Sequence, residues 1–459
     1  MNFDKLSYQN QQAQLPEGDA PGLPKGWEIM KLGEIGKVCM CKRILKKQTL
    51  PVGDIPFYKI GTFGKTANAF ISNQVYQEYR SKYSFPKKGD ILISASGTIG
   101  RRVIYDGQPA YFQDSNIVWI DNDEKEVLNS FLYKFYGFCN WNPSKGATIS
   151  RLYNDDLRNI EIPIPPLPEQ QRIVSILDEC FDAIDKAKVN AGQNLKNARE
   201  LFESYLQGVF GGSTGSPTEK KGDGWEKKRL GEVCKIKPPK KEAKEKLNET
   251  DKVSFIPMED LGVCENEIKP VKERELKDVS GSYTYFAEND VLLAKITPCF
   301  ENGKLGIAKN LKNSIGFGSS EYIVFRCSEE VIPELLFYYL ARESFRKEGQ
   351  EYMGGAVGHK RVSKDWIENY LFSFPKSLEE QQTIVRQLDA LRAETQKLEA
   401  VYQKKIADLE ELKKSILQKA FAGDLPDRQA GLKTSASSVP VEYEINDNLS
   451  QAAEPTNER

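Results

Sequence analysis

Histidine is almost missing from this sequence, and its scarcity removes several classes of site. The single histidine is His359. Zinc sites built on pairs of histidines are therefore excluded, and a Ser–His or Cys–His triad would depend on one residue without a supporting motif. Carboxylates are plentiful but follow no catalytic pattern. The chain is expected to direct chemistry rather than to perform it.

Paired cysteines at metal-binding spacing and long apolar runs are lacking as well. The eight cysteines are scattered, and the single Cys-x-Cys at Cys39 and Cys41 has no second pair at zinc spacing. Free, buried thiols in a reducing cytoplasm are therefore expected. No stretch approaches the ~20 apolar residues of a membrane span, and the N-terminus carries no secretory signal pattern.

The formal net charge of −1 conceals an uneven distribution. Residues 26–150 hold 17 Lys and Arg against 11 Asp and Glu, whereas residues 224–361 hold 24 against 23. A local surplus of positive charge matters more than the net charge of the whole chain, because attraction to phosphate is screened within a Debye length of ~8–10 Å. A nucleic-acid partner is compatible with this composition.

An internal repeat is the most prominent positive feature. Three markers recur: GWE of residues 26–28 at 224–226, LGE of residues 32–34 at 230–232, and EQQRIV of residues 169–174 as EQQTIV at 380–385. The offset is 198 for the first two markers and 211 for the third. The markers recur while the residues between them differ, which indicates one scaffold that carries two different globular heads.

Each copy changes from a strand-like to a helix-like pattern. Short β-rich runs precede a proline-rich connector at residues 163–168, after which Glu169 lies in the first turn of a predicted helix. Heptad spacing then predicts two apolar seams, Ile173, Leu177, Cys180, Ile184, Ala187, Ala191, Ala198, Leu201 and Tyr205, and Ile384, Leu388, Leu391, Leu398, Tyr402, Leu409, Leu412 and Ile416.

Each seam predicts a helix of about 42 residues, ~60 Å long, with one face to bury. Antiparallel pairing of the two helices is favoured because both copies keep one heptad register. Two separate helical hairpins or a homodimer are the alternatives to this pairing.

The predicted fold class is α+β, with two mixed, β-rich domains joined by two long helices that form an antiparallel coiled coil with a pseudo-twofold internal repeat. The predicted boundaries are a flexible tail (1–24), the first domain (25–166), the first long helix (167–210), a linker (211–223), the second domain (224–377), the second long helix (378–422) and a disordered acidic tail (423–459).

In these features the chain resembles the specificity (S) subunits of type I restriction–modification enzymes. The resemblance rests on the connector and Glu-Gln-Gln marker of residues 162–174, its degenerate copy at 372–382, the GDILIS and NDVLLA segments at 89–94 and 289–294, the opening PKGW and the helix end LQGVF. It covers about residues 24–425. The second connector keeps only Pro375 of the prolines, so the second junction is expected to be less rigid.

The resemblance implies a cytoplasmic, non-catalytic protein of a bacterium or archaeon. Its two target recognition domains would each read one half of a bipartite, gapped sequence in double-stranded DNA. It would dock two modification subunits, which use S-adenosylmethionine to methylate adenine at N6, and two restriction (translocase and nuclease) subunits, which use ATP and Mg²⁺, can join. No cofactor or metal is expected in this chain, and a coiled-coil scaffold that does not bind DNA is the alternative.

Two basic clusters at matching distances from the Gly-Trp marker are candidates for phosphate anchoring. They are Lys42, Arg43, Lys46 and Lys47 in the first domain and Lys235, Lys237, Lys240 and Lys241 in the second. Solvated surface is an equally good interpretation.

Three further groups are predicted DNA contacts. In each copy a loop follows a strand, and in the first copy this loop is rich in small residues, glycines and arginines. The polar and basic residues of the two loops are Ser94, Ser96, Thr98, Arg101 and Arg102 in the first copy and Lys295, Thr297 and Lys304 in the second. Such loops admit close backbone approach and Arg–guanine pairing, although an ordinary glycine hairpin fits too. The other two groups are the aromatic and basic surface of Tyr58, Lys59, Thr62 and Lys65, and the residues before each connector, Lys145, Arg151, His359, Lys360 and Arg361, which could equally be structural caps.

Overall fold

The computed structural model describes residues 23–141, 151–211, 224–270, 272–356 and 358–426. The chain forms two compact units: unit 1 comprises residues 1–187 and 407–459, and unit 2 comprises residues 188–406. Both long helices cross this division, so each unit contains one β-rich head and half of each helix. The predictions for Lys145, for the linker beyond residue 211, and for most of the two tails concern residues outside the described part.

The head of unit 1 combines short strands and helices in mixed sheets. Its elements are β1 (Glu28–Lys31), α1 (Leu32–Ile35), β2 (Lys37–Met40), β3 (Ile55–Tyr58), β4 (Phe70–Ile71), α2 (Asn73–Lys82), β5 (Ile91–Ser94), β6 (Arg102–Ile104), β7 (Tyr111–Phe112), β8 (Ile117–Asp121), α3 (Asn129–Phe135), α4 (Asn154–Arg158) and β9 (Glu161–Ile164), followed by α5 (Leu167–Gly211). The strand orders are β2-β8-β5-β6, β4-β3-β7 and β1-β9. The pairing of β3 with β7 is parallel.

The head of unit 2 repeats this plan and enlarges it. Its elements are β10 (Trp225–Arg229), α6 (Leu230–Val233), β11 (Cys234–Ile236), α7 (Lys241–Lys246), β12 (Lys252–Ile256), β13 (Glu265–Ile268), β14 (Lys272–Glu275), α8 (Leu276–Val279), β15 (Thr284–Ala287), β16 (Val291–Ala294), β17 (Leu305–Ala308), β18 (Ile315–Gly318), β19 (Tyr322–Cys327), α9 (Pro333–Ala341), α10 (Glu343–Glu351), β20 (Met353–Gly354), β21 (Arg361–Val362), α11 (Lys364–Asn369) and β22 (Leu371–Pro375), followed by α12 (Leu378–Ala422).

The sheets of unit 2 show where the repeat lies. Their orders are β11-β19-β16-β17-β13, β14-β12-β18-β15, β10-β22 and β20-β21. The first four strands of the largest sheet follow the same order as β2-β8-β5-β6, and β12 pairs in parallel with β18 as β3 does with β7. The predicted α+β class with mixed, repeated heads is confirmed.

The Leu-Gly-Glu marker forms the same turn in both units. The backbone N–H of Lys31 donates to the Glu34 carboxylate at 2.6 Å, and that of Arg229 donates to Glu232 at 2.9 Å. Each glutamate thereby satisfies a backbone donor at the start of a short helix. At Gly33 a Cβ would lie 3.0 Å from the neighbouring helix α4, so the close packing of the two helices accounts for the glycine.

The first glutamine of the Glu-Gln-Gln marker ties the head of unit 1 to α5. The Gln170 side chain is fully buried. Its Oε1 accepts the Leu128 N–H at 2.8 Å, and its Nε2 donates to the carbonyls of Glu126 and Pro165 at 2.8 Å each. One side chain therefore joins the loop before α3, the connector and the first turn of the long helix.

Gln381 repeats this arrangement in unit 2. It is also fully buried; its Oε1 accepts the Ile332 N–H at 3.0 Å, and its Nε2 donates to the carbonyls of Glu330 (2.7 Å) and Pro375 (2.8 Å). The repetition of the marker in the sequence thus reflects a repeated buried hydrogen-bond site. Its polar atoms are satisfied in three directions, which is what burial of an amide requires.

The halves of the two long helices pack antiparallel within each unit. In unit 1 Arg172 Nη1 donates to the Pro426 carbonyl at 3.1 Å, and Lys413 Nζ lies 3.2 Å from the Asp185 carboxylate. Residue numbers rise along α5 as they fall along the facing chain, so the predicted antiparallel pairing is confirmed. In unit 2 the same sense of pairing joins Arg199 to Glu399 and Tyr205 to Gln387.

The predicted seams are correct at most of their positions and wrong at three. Leu201, Leu398 and Leu412 are 51%, 40% and 46% exposed. The buried face includes Phe202, the neighbour of Leu201, which is partly buried against the core of unit 2. It also includes Thr395, a polar interruption of the second seam, which is 3% exposed. An α-helix has 3.6 residues per turn, so a strict heptad drifts around the helix, which accounts for the shift of the contact from Leu201 to Phe202.

The cysteines are free, as predicted, but only some are buried. Cys39, Cys41 and Cys234 are buried, and the other five are half-buried. Burial raises the pKa of the Cys41 thiol to about 12, so this thiol stays neutral. Within the described ranges, no helix is long and apolar enough to cross a membrane, and no three His, Cys, Asp or Glu side chains gather into a possible metal site.

Candidate nucleic-acid interface

Two separately predicted stretches meet at the end of strand β5 in unit 1. The Ala95 N–H donates to the Asn116 carbonyl at 2.8 Å, and the Ala95 carbonyl accepts the Leu152 N–H at 2.9 Å. These bonds bring the loop after β5 beside the segment that precedes the connector, with Ser96 opposite Arg151 in a β-bridge.

Unit 2 builds the same backbone arrangement after β16. The Lys295 N–H donates to the Glu321 carbonyl at 3.0 Å, and the Lys295 carbonyl accepts the Val362 N–H at 3.0 Å. Ile296 pairs with Arg361 in the corresponding bridge. We call this arrangement, residues 95–96, 116 and 151–152 in unit 1 and residues 295–296, 321 and 361–362 in unit 2, the loop junction.

The loop junction of unit 2 opens into a basic cleft of about 250 Å³. It brings together Lys237, Lys295 and Arg361, which come from three different predicted groups. The cleft is lined by Ile236, Lys237, Lys295, Tyr322, Ile323, Arg361, Val362 and Lys364. A lining that combines apolar side chains with cations suits a base edge and its neighbouring phosphates.

Glu321 is an acidic residue that contacts two cations of the basic cleft, Lys295 and Arg361. Arg361 contacts it through two parallel hydrogen bonds, from Nε to Oε2 at 2.9 Å and from Nη2 to Oε1 at 2.8 Å. Lys295 Nζ lies 3.7 Å from the same carboxylate and 3.1 Å from the Ser320 carbonyl. Hydrogen bonding to Arg361, and then the charge of Lys295, lowers the pKa of Glu321, so the carboxylate is ionised at neutral pH.

The loop junction of unit 1 carries different side chains on the same frame. Ser96 Oγ donates to the Asn116 side-chain oxygen at 2.7 Å. Arg151 Nη2 donates to the Ser115 carbonyl at 3.0 Å, and its guanidinium lies 5.8 Å from the centre of the Tyr153 ring. Both predicted residues lie at the junction, half-buried, with an amide where unit 2 has a carboxylate.

The rest of the loop after β5 is more enclosed than its composition suggests. Ser94 is 1% exposed; its hydroxyl donates to the Thr98 carbonyl at 2.5 Å and accepts the Arg101 N–H at 2.9 Å. Arg101 donates to the Phe63 carbonyl at 2.9 Å, and Arg102 lies on the Tyr133 ring, 4.5 Å from its centre. Ser94 therefore shapes the loop from within, and Thr98 is its exposed predicted contact.

The predicted aromatic and basic surface of unit 1 lies around a second cavity. Tyr58 stacks on Phe112 with ring centres 5.8 Å apart, and both line a cavity of about 300 Å³ together with Lys65. Lys59 Nζ lies 5.8 Å from the centre of the Phe57 ring. Thr62 Oγ1 accepts the Lys59 N–H at 3.1 Å, which makes this threonine part of the turn.

The two predicted basic clusters, one after β2 and one that begins within β11, differ between the units. Lys42 Nζ lies 5.0 Å from the centre of the Tyr83 ring, and Arg43, Lys46 and Lys47 are exposed. In unit 2, by contrast, Lys235 pairs with Glu242 at 2.6 Å and Lys241 with Glu245 at 3.1 Å. Lys240 donates to the Gly281 carbonyl at 2.5 Å, and burial lowers its pKa.

Besides Lys235, Lys240 and Lys241, four further predicted residues of unit 2 lie outside the lining of the basic cleft. Thr297 Oγ1 donates to Glu301 at 2.8 Å and Lys304 Nζ donates to the Met258 carbonyl at 2.6 Å. The remaining two residues, Lys360 and His359, contribute backbone carbonyls. The Lys360 carbonyl accepts the Thr297 N–H at 2.9 Å, and the His359 carbonyl accepts a hydrogen bond from Arg361 Nη1 at 2.8 Å.

Sequence reasoning missed Glu321 and Lys364. A carboxylate does not attract attention in a search for DNA contacts, and its role depends on Arg361, which is 40 residues away. Lys364 lies three positions after Arg361, next to the Ser363 that caps α11, so inspection of that helix start could have found it.

Comparison with known proteins points in one direction. The family described as the type I restriction modification DNA specificity domain matches residues 24–192 and 222–408. A type I restriction enzyme specificity subunit from Haemophilus influenzae is 66% identical over 180 residues, which cover 39% of this chain and 47% of that protein. The EcoAI specificity subunit of Escherichia coli is 36% identical over 36% of this chain and 27% of its own length.

These two relatives are thus matched over less than half of their length. The EcoKI specificity subunit of Escherichia coli K12 is matched over 90% of its length and 88% of this chain, at 22% identity. A solved structure of a type I restriction–modification system and the HsdS subunit of Thermoanaerobacter tengcongensis share the fold, with TM-scores of 0.65 and 0.52. Both are 21% identical over 88% of this chain, and they cover 100% and 98% of the respective chains.

Proposed function

Because the chain belongs to the family of type I restriction–modification specificity subunits, with two recognition domains, we propose that each head reads one half of a bipartite, gapped target in double-stranded DNA. The loop junction is the observation that carries this proposal. Both units hold it with equivalent backbone hydrogen bonds, from Ala95 in one and from Lys295 in the other. The side chains that it presents differ.

A common backbone frame with different side chains is what two readers of different half-sites require. Backbone and cationic contacts position a protein on DNA, whereas side chains at base edges specify the sequence. Unit 1 presents Ser96, Asn116 and Arg151 at the junction, and unit 2 presents Ile296, Glu321 and Arg361. The two half-sites are therefore expected to differ in sequence.

The antiparallel helix pair is proposed to set the gap between the half-sites and to dock partner subunits. Heads that contact one face of B-DNA must be offset by about one helical turn, ~34–36 Å, or a multiple of it. Two modification subunits would supply adenine-N6 methylation with S-adenosylmethionine, and two restriction subunits would use ATP and Mg²⁺. The chain itself would bind no cofactor and would act in the cytoplasm beside the genome.

Long-read methylation mapping of the host genome, with and without an intact copy of this chain, tests the proposal. Loss of N6-methyladenine at one gapped, two-part motif is the expected result, and the motif would identify both half-sites. An unchanged methylome, with the partner genes expressed, would refute the proposal and favour a coiled-coil scaffold that does not bind DNA.

A further inference from the structure

The guanidinium of Arg361 offers five N–H donors, and its surroundings occupy three of them in a particular way. Nε and one hydrogen of Nη2 bind the two oxygens of Glu321, at 2.9 and 2.8 Å. One hydrogen of Nη1 binds the His359 carbonyl at 2.8 Å. Among the residues that the structure describes, no further acceptor engages the group, which leaves one N–H on each terminal nitrogen.

Because Glu321 takes the edge formed by Nε and Nη2, the remaining N–H of Nη2 lies on the edge between Nη1 and Nη2. With the His359 carbonyl on the Nη1 hydrogen that faces Cδ, this edge presents a parallel pair of N–H bonds. The Arg361 side chain is 43% exposed and lines the basic cleft. A parallel donor pair at an accessible cleft matches the O6 and N7 acceptors of guanine in the major groove.

We propose that Arg361 reads a guanine in the half-site bound by unit 2, and that Glu321 is the positioning residue that aims it. The inference rests on the proposed function, since it names one base contact of the second recognition domain.

A base is favoured over a phosphate as the acceptor because of the charge on Glu321. The carboxylate offsets the positive charge of Arg361 and would repel a nearby phosphate. A neutral base edge is insensitive to this reduction of the net positive charge. The two-point contact also holds the side chain in one orientation, so less conformational entropy is lost when a fixed donor pair meets a base.

Unit 1 supplies an internal comparison. Arg151 occupies the same bridge position, but the residue equivalent to Glu321 is Asn116, which accepts from Ser96. Arg151 is instead bound to the Ser115 carbonyl and lies over Tyr153. It therefore lacks the carboxylate that aims Arg361, and the inference applies to one half-site only.

The experiment uses the full chain assembled with its modification subunits. The target is first determined from the wild-type methylome. Binding is then measured for DNA duplexes in which each position of the target is replaced in turn, with wild type and with Arg361→Gln, Arg361→Lys and Glu321→Gln. Arg274→Gln, which removes an exposed arginine of β14 outside the basic cleft, is the matched control.

The proposal predicts one fixed G·C pair in one half-site at which Arg361→Gln loses discrimination by about 10-fold or more, while discrimination elsewhere is kept. Arg361→Lys should lose most of it despite its charge, Glu321→Gln should lose part of it, and Arg274→Gln should lose none. Uniform weakening across all sequences would assign Arg361 to a phosphate and overturn the proposal. So would unchanged discrimination, or two half-sites without a fixed G·C pair. If the wild-type assembly shows no sequence preference, the proposed function fails as well.

Discussion

Replacing Gln381 with leucine should destabilise unit 2 by a predictable amount. Leucine has a similar volume but cannot hydrogen-bond, so the Ile332 N–H and the carbonyls of Glu330 and Pro375 would lose their partner. The site excludes water, because the Gln381 side chain is fully buried. The loss therefore falls on three backbone groups at once.

The magnitude follows from those groups. An unsatisfied buried polar group costs about 1–3 kcal/mol, and carbonyls are more tolerant than N–H groups. We expect the free energy of unfolding to fall by about 3 kcal/mol, since the apolar leucine offsets part of the loss. For a unit of this size, each 1 kcal/mol lowers the Tm by roughly 2–4 °C, so a decrease of roughly 6–12 °C is expected.

Calorimetry of the full chain measures the Tm, and amide hydrogen exchange at Ile332 reports the local effect. Gln382→Leu is the matched control, because that neighbouring glutamine is exposed. Gln381→Glu adds an isosteric test: a carboxylate facing two carbonyls should be at least as destabilising as leucine at neutral pH. If Gln381→Leu and Gln382→Leu melt alike and the Ile332 amide stays protected, the buried-glutamine argument is refuted.

The remaining predictions concern the helices, the cleft and the spacing. Leu388→Ala should destabilise unit 2 by about 2–5 kcal/mol because Leu388 is fully buried, whereas Leu398→Ala should cost much less, and equal losses in denaturant titrations would contradict the corrected seam. The Glu321 pKa is lowered below its ordinary 4.5, so its pairing with Arg361 stabilises the fold above pH 4.5 and this contribution is lost as pH falls through the folded pKa. The stability difference between wild type and Glu321→Gln should therefore shrink in acid, and a constant difference from pH 7 to pH 3 would argue against that pairing. Inserting four residues into each long helix adds ~6 Å of rise and should change the gap length in the methylome or abolish recognition, while an unaltered target would refute the spacing role.

Much of the fold follows from local patterns. The Glu-Gln-Gln marker and the heptads predict both long helices, because helix starts and seams depend on residues a few positions apart. The heptad prediction is wrong at Leu201, Leu398 and Leu412, because a strict heptad ignores the drift of a straight helix and the facing residues decide which side chains are buried.

The candidate site was less predictable. Composition and spacing identified Lys237, Lys295 and Arg361 separately, but not that they line one cleft. Ser94 illustrates the opposite error, because a hydroxyl in a glycine-bearing loop suggests exposure until its bonds to Thr98 and Arg101 are seen. The conformation of the loop decides which of its side chains are accessible, and residue type alone does not encode it.

Sequence alone determined the repeat, the α+β class and the two long helices, because these depend on periodicity and on residues close together in the chain. The tertiary structure alone decided which side chains share the loop junction and that Glu321 contacts and orients Arg361, 40 residues away in the chain. It also decided that Gln170 and Gln381 are buried rather than exposed on the helix surface. These outcomes depend on long-range backbone pairing, because that pairing sets the distances between side chains that are far apart in the sequence.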